Sequence, residues 1–150
     1  MAIKKEAFLK IIVIQIGTVY FGIELEKIKV ILKNTDMTMI PVMHSPDITG
    51  ILNHDGDMIP IVNLYKKMQL KALDLTNISY FMVVSFNQKM IALPVDKIDK
   101  YYNVAYTHLN VVPPLLQNPT TRYFHQIIDL DGRLVLMIDL VQLFDELGNE

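Results

Sequence analysis

The sequence predicts a mostly β chain folded as two small five-stranded β-barrel lobes that share a hydrophobic core. Three observations predict it. Asp131 to Leu140, D-G-R-L-V-L-M-I-D-L, repeats Asp55 to Leu64, D-G-D-M-I-P-I-V-N-L. Val83 to Ile98 repeats Val13 to Ile28 in its apolar positions and in the place of its turn. The apolar runs are short, rich in Ile, Val, Phe and Tyr, and separated by gaps of hairpin length. Two copies are too few for a solenoid, which needs at least about three repeats. Each half offers about four or five short strands, and a sheet that small removes its edges best by closing. Residues 1–150 then form a single domain. One lobe covers about 8–70, with a C-terminal helix packed on it, and the other about 80–140. The competing reading is one larger sandwich whose halves are similar by coincidence.

The elements follow in order. Phe8 to Ile16 and Val19 to Leu25 form a hairpin around Gly17-Thr18. Leu25, Ile28 and Ile31 then recur every three residues, which fits one or two amphipathic helical turns or a strand entering at Ile28. Asn34 to Asp36 is a turn. Met37 to Val42 is a short strand, placed at a sheet edge by Pro41. Ser45, Pro46 and Gly50 carry cap, first-turn and stop signals for one helical turn, with Gly50 left-handed. Asp55-Gly56 between apolar runs is a tight hairpin, because Gly accepts the positive φ the turn needs. Asn63 caps a helix over Leu64 to Leu70.

Lys71 to Ser79 is a polar connector and the expected junction between lobes. Tyr80 to Phe86 and Met90 to Val95 pair around Asn87-Gln88-Lys89, and Asp96 to Tyr106 is ambiguous. Prolines make Val111 to Pro119 an irregular loop. Tyr123 to Leu130 and Leu134 to Ile138 form the second Asp-Gly hairpin. Asp139 caps a last helix, Leu140 to Leu147, with Gln142 at the capping-box position and Gly148 as the stop.

Composition narrows the function classes. Apolar residues make up 51% of the chain, enough for a real core, and the net charge is −2, with no basic face for a nucleic-acid backbone. Cysteine is absent, which removes disulfides, thiolate metal sites and a cysteine nucleophile and fits a reducing compartment. Phe8 to Ile16 is far short of the ~20 residues of a membrane span, and no signal-peptide pattern precedes it. No direct membrane insertion is expected.

No catalytic constellation stands out. His44, His54, His108 and His125 lack ligand spacing, and no phosphate cradle, nucleophile elbow or HExxH motif occurs. His54 and Asp55, adjacent at a strand tip, are expected to point apart. Asp55, Asp57, Asp129 and Asp131 lack the dense calcium-loop pattern. No enzyme activity, cofactor or metal is therefore expected. What remains is apolar surface. Nine methionines are many for this length, and Met37, Met39, Met43 and Met58 gather around the first hairpin. Methionine adapts to varied partners, although it also fills cores.

The whole series, in order, resembles the CheW-like domain over roughly Phe8 to Leu147. Its first half matches at Tyr20-Phe21-Gly22-Ile23, Pro46, Gly50, Asn53-His54-Asp55-Gly56 and Pro60-Ile61-Val62-Asn63-Leu64. Its second half matches at Ala92-Leu93-Pro94-Val95-Asp96-Lys97-Ile98 and along Asp131 to Leu140. The resemblance implies a non-catalytic cytoplasmic adaptor for chemotaxis, joining the chemoreceptor cytoplasmic tip to the regulatory domain of the chemotaxis histidine kinase. It implies partner-binding residues at Ile28, Val30 and Ile31, with Asn53, His54, Asp55 and Gly56 on the neighbouring loop. The alternative is a ligand-binding or small enzymatic β-barrel domain outside chemotaxis. The chain departs from the family's usual Asn-Leu-Arg-Gly at His54-Asp55, where Asp replaces Arg. Val30 stands where glutamate is typical, and Asn63 where Asp is usual. The segment between Pro46 and Gly50 is one residue short. These departures imply a divergent member, either with altered recognition or degenerate after loss of function.

Overall fold

The computed structural model describes residues 7–42, 45, 47–70, 72–75, 77–113 and 121–147. The expectations placed on Met43, His44, Pro46, Pro114 to Pro119 and Gly148 lie outside them, as does the side chain of His125.

Period-two apolar runs become strands. In chain order these are β1 (Phe8–Ile16), β2 (Val19–Glu24), β3 (Ile28–Lys33), β4 (Thr38–Pro41), β5 (Ile48–His54) and β6 (Asp57–Val62). After helix α1 (Leu64–Lys67) come β7 (Tyr80–Phe86), β8 (Lys89–Val95), β9 (Lys97–Ala105), β10 (Leu109–Val111), β11 (Phe124–Leu130), β12 (Arg133–Ile138) and helix α2 (Leu140–Leu147). The Leu25 repeat resolves into one 3₁₀ turn, Leu25–Lys27, and a strand that enters at Ile28. The ambiguous stretch after Asp96 is the strand β9.

The strands form two curled sheets of six, not five, in the orders β10-β11-β12-β2-β1-β9 and β3-β7-β8-β6-β5-β4. Moving every strand of the first sheet six places along the chain reproduces the second sheet in reverse order. The internal repeat is therefore a pseudo-two-fold in the fold itself. The sheets do not coincide with residues 8–70 and 80–140. Each takes one hairpin from one half and four strands from the other, so β2 runs parallel to β12 and β6 parallel to β8.

Curling follows from the links. The edge strands β9 and β10 are joined only by the 3₁₀ turn Tyr106–His108, and β3 and β4 by Asn34–Asp36 plus Met37. A 3₁₀ residue advances only ~2 Å, so the two edges of each sheet must come close together.

The core is shared between the sheets. Ile14, Ile16, Phe21 and Ile23 of the first sheet pack with Leu52, Ile59, Ile61, Phe81, Met82 and Leu93 of the second, and with Leu140 and Leu143 of α2. A smaller cluster, Ile11, Val13, Val104, Ile128, Val135 and Met137, fills the first sheet alone. Burial of each large side chain contributes about 1.5–3 kcal/mol against chain entropy.

Several local expectations change. Residues 48–50 are not a helical turn but the start of β5. Ser45 Oγ accepts from the Ile48 amide, which closes a side-chain turn instead. Gly50 is needed for space, because a Cβ there would lie 3.0 Å from the Ile40 carbonyl oxygen. Asn63 caps α1 through the Lys66 amide, but the helix stops after Lys67, where Gln69 turns left-handed at φ 53°. The Lys71–Ser79 connector joins two parts of one sheet and is not the junction between lobes. Leu73, Leu75 and Ile78 pack on the core, and Asn34 Nδ2 donates to the carbonyls of Leu75 and Ile78.

The two helices meet at an ionic clasp. The Lys67 ammonium lies 2.7 Å from Asp47 and 3.4 Å from Glu146, and Arg122 lies 2.7 Å from Glu146. Tyr123 donates its hydroxyl to Glu146. Among the described residues, no helix is long and apolar enough to cross a membrane.

Candidate functional site

The sequence points to β3 and to the Asp55-Gly56 tip. β3 is an edge strand, paired only through β7 in the sheet order. A bulge between Ile28 and Val30 shifts its register, and bulges re-aim side chains at sheet edges. Ile28, Val30 and Ile31 are half-buried and pack on the shared core, while Lys29 and Lys33 are exposed. The three apolar residues thus anchor the strand and still keep part of their surface in solvent.

The tip is a two-residue turn. Asp55 and Gly56 both take positive φ, 50° and 87°, which matches the twist of the flanking strands. Asn53 Oδ1 accepts from the Gly56 amide at 3.1 Å and fixes the corner. His54 and Asp55 do not point apart. His54 Nε2 lies 3.4 Å from Asp55 Oδ2, because the left-handed backbone at Asp55 turns its side chain back along the hairpin. The Asp55 side chain is 87% exposed. The tip presents negative charge to solvent, with exposed Asp57 beside it.

Topology brings only part of the predicted site together. Asn53 pairs with Thr38, next to the turn that leaves the Lys33 end of β3. Ile28 sits at the opposite end of β3, five residues or ~17 Å along the strand. β3 and the tip lie toward opposite ends of the second sheet's strand order. The short β3–β4 link brings the tip toward the Lys33 end of β3, with Ile31 on the near part and Ile28 on the far part.

Sequence reasoning missed a further apolar strip. Ile40, Ile51 and Pro60 stand opposite one another across β4, β5 and β6, and so do Thr38, Asn53 and Met58. Direct partners share a face, and this face is outward: Ile40 is 59% and Met58 60% exposed. Strand alternation was the available signal, since Met39 packs inward and so sends Ile40 out. Of the methionines singled out, Met58 is surface, while Met37 and Met39 pack on the core. The second copy repeats the strip at Leu134, the counterpart of Met58, which is 61% exposed.

Among the described residues, no group of three or more His, Asp or Glu is placed to hold a metal ion. The perturbed groups are structural. Burial, and then the adjoining Asp96, pushes the Tyr65 phenol well above its ordinary value. Burial also raises the Glu24 carboxyl, helped by the nearby Glu26 charge.

Comparison with known proteins agrees with this geometry. The family model described as CheW-like domain matches residues 10–148. "Chemotaxis protein CheW" of Treponema pallidum is 24% identical over 148 residues, covering 96% of this chain and 86% of that protein. "Chemotaxis protein CheW" of Bacillus subtilis is 23% identical over 137 residues, covering 91% and 87%. The solved structure of the scaffolding protein TtCheW from Thermoanaerobacter tengcongensis superposes with a TM-score of 0.78 at 20% identity, covering 89% of this chain and 90% of that one. That likeness establishes the fold, two curled sheets with a C-terminal helix. With the family model spanning nearly all of its length, the chain belongs to the CheW-like domain family.

Proposed function

We propose that the protein is a non-catalytic chemotaxis adaptor that couples the chemoreceptor cytoplasmic tip to the regulatory domain of the chemotaxis histidine kinase. The observation that carries this is the family match across residues 10–148, with relatives named as chemotaxis proteins over most of their own length. The reading puts its work in the cytoplasm. The receptor-facing surface combines the β3 edge, at Ile28, Val30 and Ile31, with the tip Asn53, His54, Asp55 and Gly56. Half-buried aliphatic side chains supply contact area there, and the tip charge selects among partners. Asp55 in place of the family's usual arginine calls for a cognate receptor with a basic residue at the facing position.

The alternative, a ligand-binding or enzymatic barrel outside chemotaxis, is not favoured by any of these matches. Titration of the protein with receptor-tip fragments and with the isolated kinase regulatory domain tests the proposal. Saturable binding to at least one is expected. Binding of neither at a concentration on the order of 50 µM sinks it.

A further inference from the structure

The chain passes between the two sheets twice. It leaves the first sheet after β2, through the turn Leu25–Lys27, and returns to it after β8, through Asp96. The two crossings are counterparts in the internal repeat, Glu26-Lys27-Ile28 against Asp96-Lys97-Ile98. Both meet a hairpin end of the neighbouring sheet and a helix, yet they are bonded differently.

At the second crossing the bonds are directional. Asp96 Oδ2 accepts from the Gly17 amide at the β1–β2 turn at 2.6 Å. Asp96 Oδ1 accepts from the hydroxyl of Tyr65 in α1 at 2.8 Å. The Asp96 amide donates to the Gln15 carbonyl of β1 at 3.1 Å. Tyr65 is 1% exposed. One residue thus fastens the first sheet to the helix that follows β6 of the second. Charge-assisted bonds to a carboxylate are short, strong and sensitive to angle.

At the first crossing the hydrogen bonds are local, with Glu24 and Glu26 bonded to each other through their side chains. The Ile28 amide donates back to the Leu25 carbonyl, so the turn closes on itself. No residue of the turn is buried. Lys27 lies 5.3 Å over the Phe86 ring, and Phe86 lies 5.8 Å from Phe144 of α2. An exposed cation–ring contact is weaker than a charge-assisted hydrogen bond, and a short 3₁₀ turn is a connector with poorer hydrogen-bond geometry than an α-helix.

We infer that Asp96 is a fixed pivot and Leu25–Lys27 a compliant hinge, so that load on β3 turns one sheet against the other about Asp96. The geometry favours this because β3 begins at Ile28, directly after the hinge. The pivot and hinge are properties of the free chain. Only their use in signalling rests on the adaptor reading.

The test therefore uses the free protein. In hydrogen exchange on the unaltered chain, the amides of 25–28 should exchange faster than those of 95–98 and 15–17. The chain has no cysteine, so Thr38→Cys and Lys100→Cys give one spin label on each sheet. One narrow inter-sheet distance distribution is expected. Tyr65→Phe keeps the ring and removes one arm of the pivot. It should broaden the distribution and raise Gly17 amide exchange about tenfold. Phe86→Leu at the hinge should leave the width unchanged. Slow exchange at 25–28, or equal broadening by the two variants, overturns the inference without bearing on partner binding. Loss of partner binding with pivot and hinge intact overturns the adaptor reading alone.

Discussion

The two Asp-Gly hairpins share a backbone and differ in what their side chains do. Gly56 and Gly132 both sit at φ 87°, after aspartates at 50° and 51°. Asn53 and Asp129 close the two corners by accepting from those glycine amides, at 3.1 and 2.8 Å. Asn63 and Asp139 then cap the following helices through the same bond, each at 3.1 Å. Beyond that frame the copies part. In the second, Arg133 donates to Asp99 at 2.9 Å and to the Tyr102 hydroxyl at 2.7 Å, and lies 4.7 Å over the Tyr20 ring. In the first, the counterpart of Arg133 is Asp57, an exposed carboxylate next to exposed Asp55. Arg133 turns toward β9 and holds it, while its counterpart Asp57 faces solvent; both tips keep an exposed aspartate, Asp55 and Asp131. The frame is what folding requires of both copies. On the proposed adaptor reading, the His54–Asp55 pair and exposed Asp57, which the second tip lacks, are what a partner reads.

The largest expected effect tests whether the copies are separable. Each sheet needs strands from both halves, so fragments 1–76 and 77–150 should each lack a cooperative unfolding transition by circular dichroism. A fragment that unfolds cooperatively alone would restore the picture of two independent barrels. Next is the clasp that joins the helices of the two copies. The Lys67 side chain is 7% exposed between Asp47 and Glu146, and Lys67→Met should cost about 2 kcal/mol in denaturant unfolding. Burial alone would lower its pKa, but the Asp47 hydrogen bond and charge outweigh burial and raise it. Its contribution is therefore whole below pH 10.5 and lost as pH rises through the raised value.

Smaller effects probe the frame and then the difference. Gly56→Ala and Gly132→Ala should cost the same, about 1 kcal/mol each, because an L side chain meets the same φ at both sites. Unequal costs would show that the tips do not share a backbone requirement. Arg133→Ala should lower stability slightly, more at low salt than at high, while Asp57→Ala should leave it unchanged. Some burial opposes ionisation of Asp99, but hydrogen bonds from Arg133 and Tyr102 hold its carboxyl below the ordinary 3.8. The stability it adds is present above that value and is lost as pH falls through the lowered one. Arg133→Ala should therefore flatten the acid limb of a stability–pH curve below about pH 4.

Most strands, both Asp-Gly turns and both caps were legible in the sequence, because each depends on a few neighbouring residues. Strand β9 was ambiguous, and β10, which takes Val111 out of the expected loop, was not foreseen. The partner of each hairpin was not. The repeat says that Val13–Ile28 and Val83–Ile98 are alike, not that the β1–β2 hairpin inserts between β9 and β12 of the other half. That choice is made by burial on the shared core, which involves residues far apart in the chain. The turn expected at 45–50 failed for a related reason. Gly50 serves the approach of β4 to β5, a long-range demand, and not a local left-handed stop. At the candidate site, the tip and the apolar character of β3 could be read. The outward strip with Ile40 and Met58 needed the register of three strands.

The most direct test reverses one charge at each tip and measures affinity for the cognate receptor-tip fragment by calorimetry. Asp55→Arg and Asp131→Arg carry the same backbone cost, so the difference between them reports recognition. Asp55→Arg should weaken cognate binding about tenfold and strengthen binding to a receptor suited to the family's usual arginine, while Asp131→Arg changes neither. Equal effects at the two tips, or none at Asp55, would contradict the assignment of the first tip as the partner-reading surface.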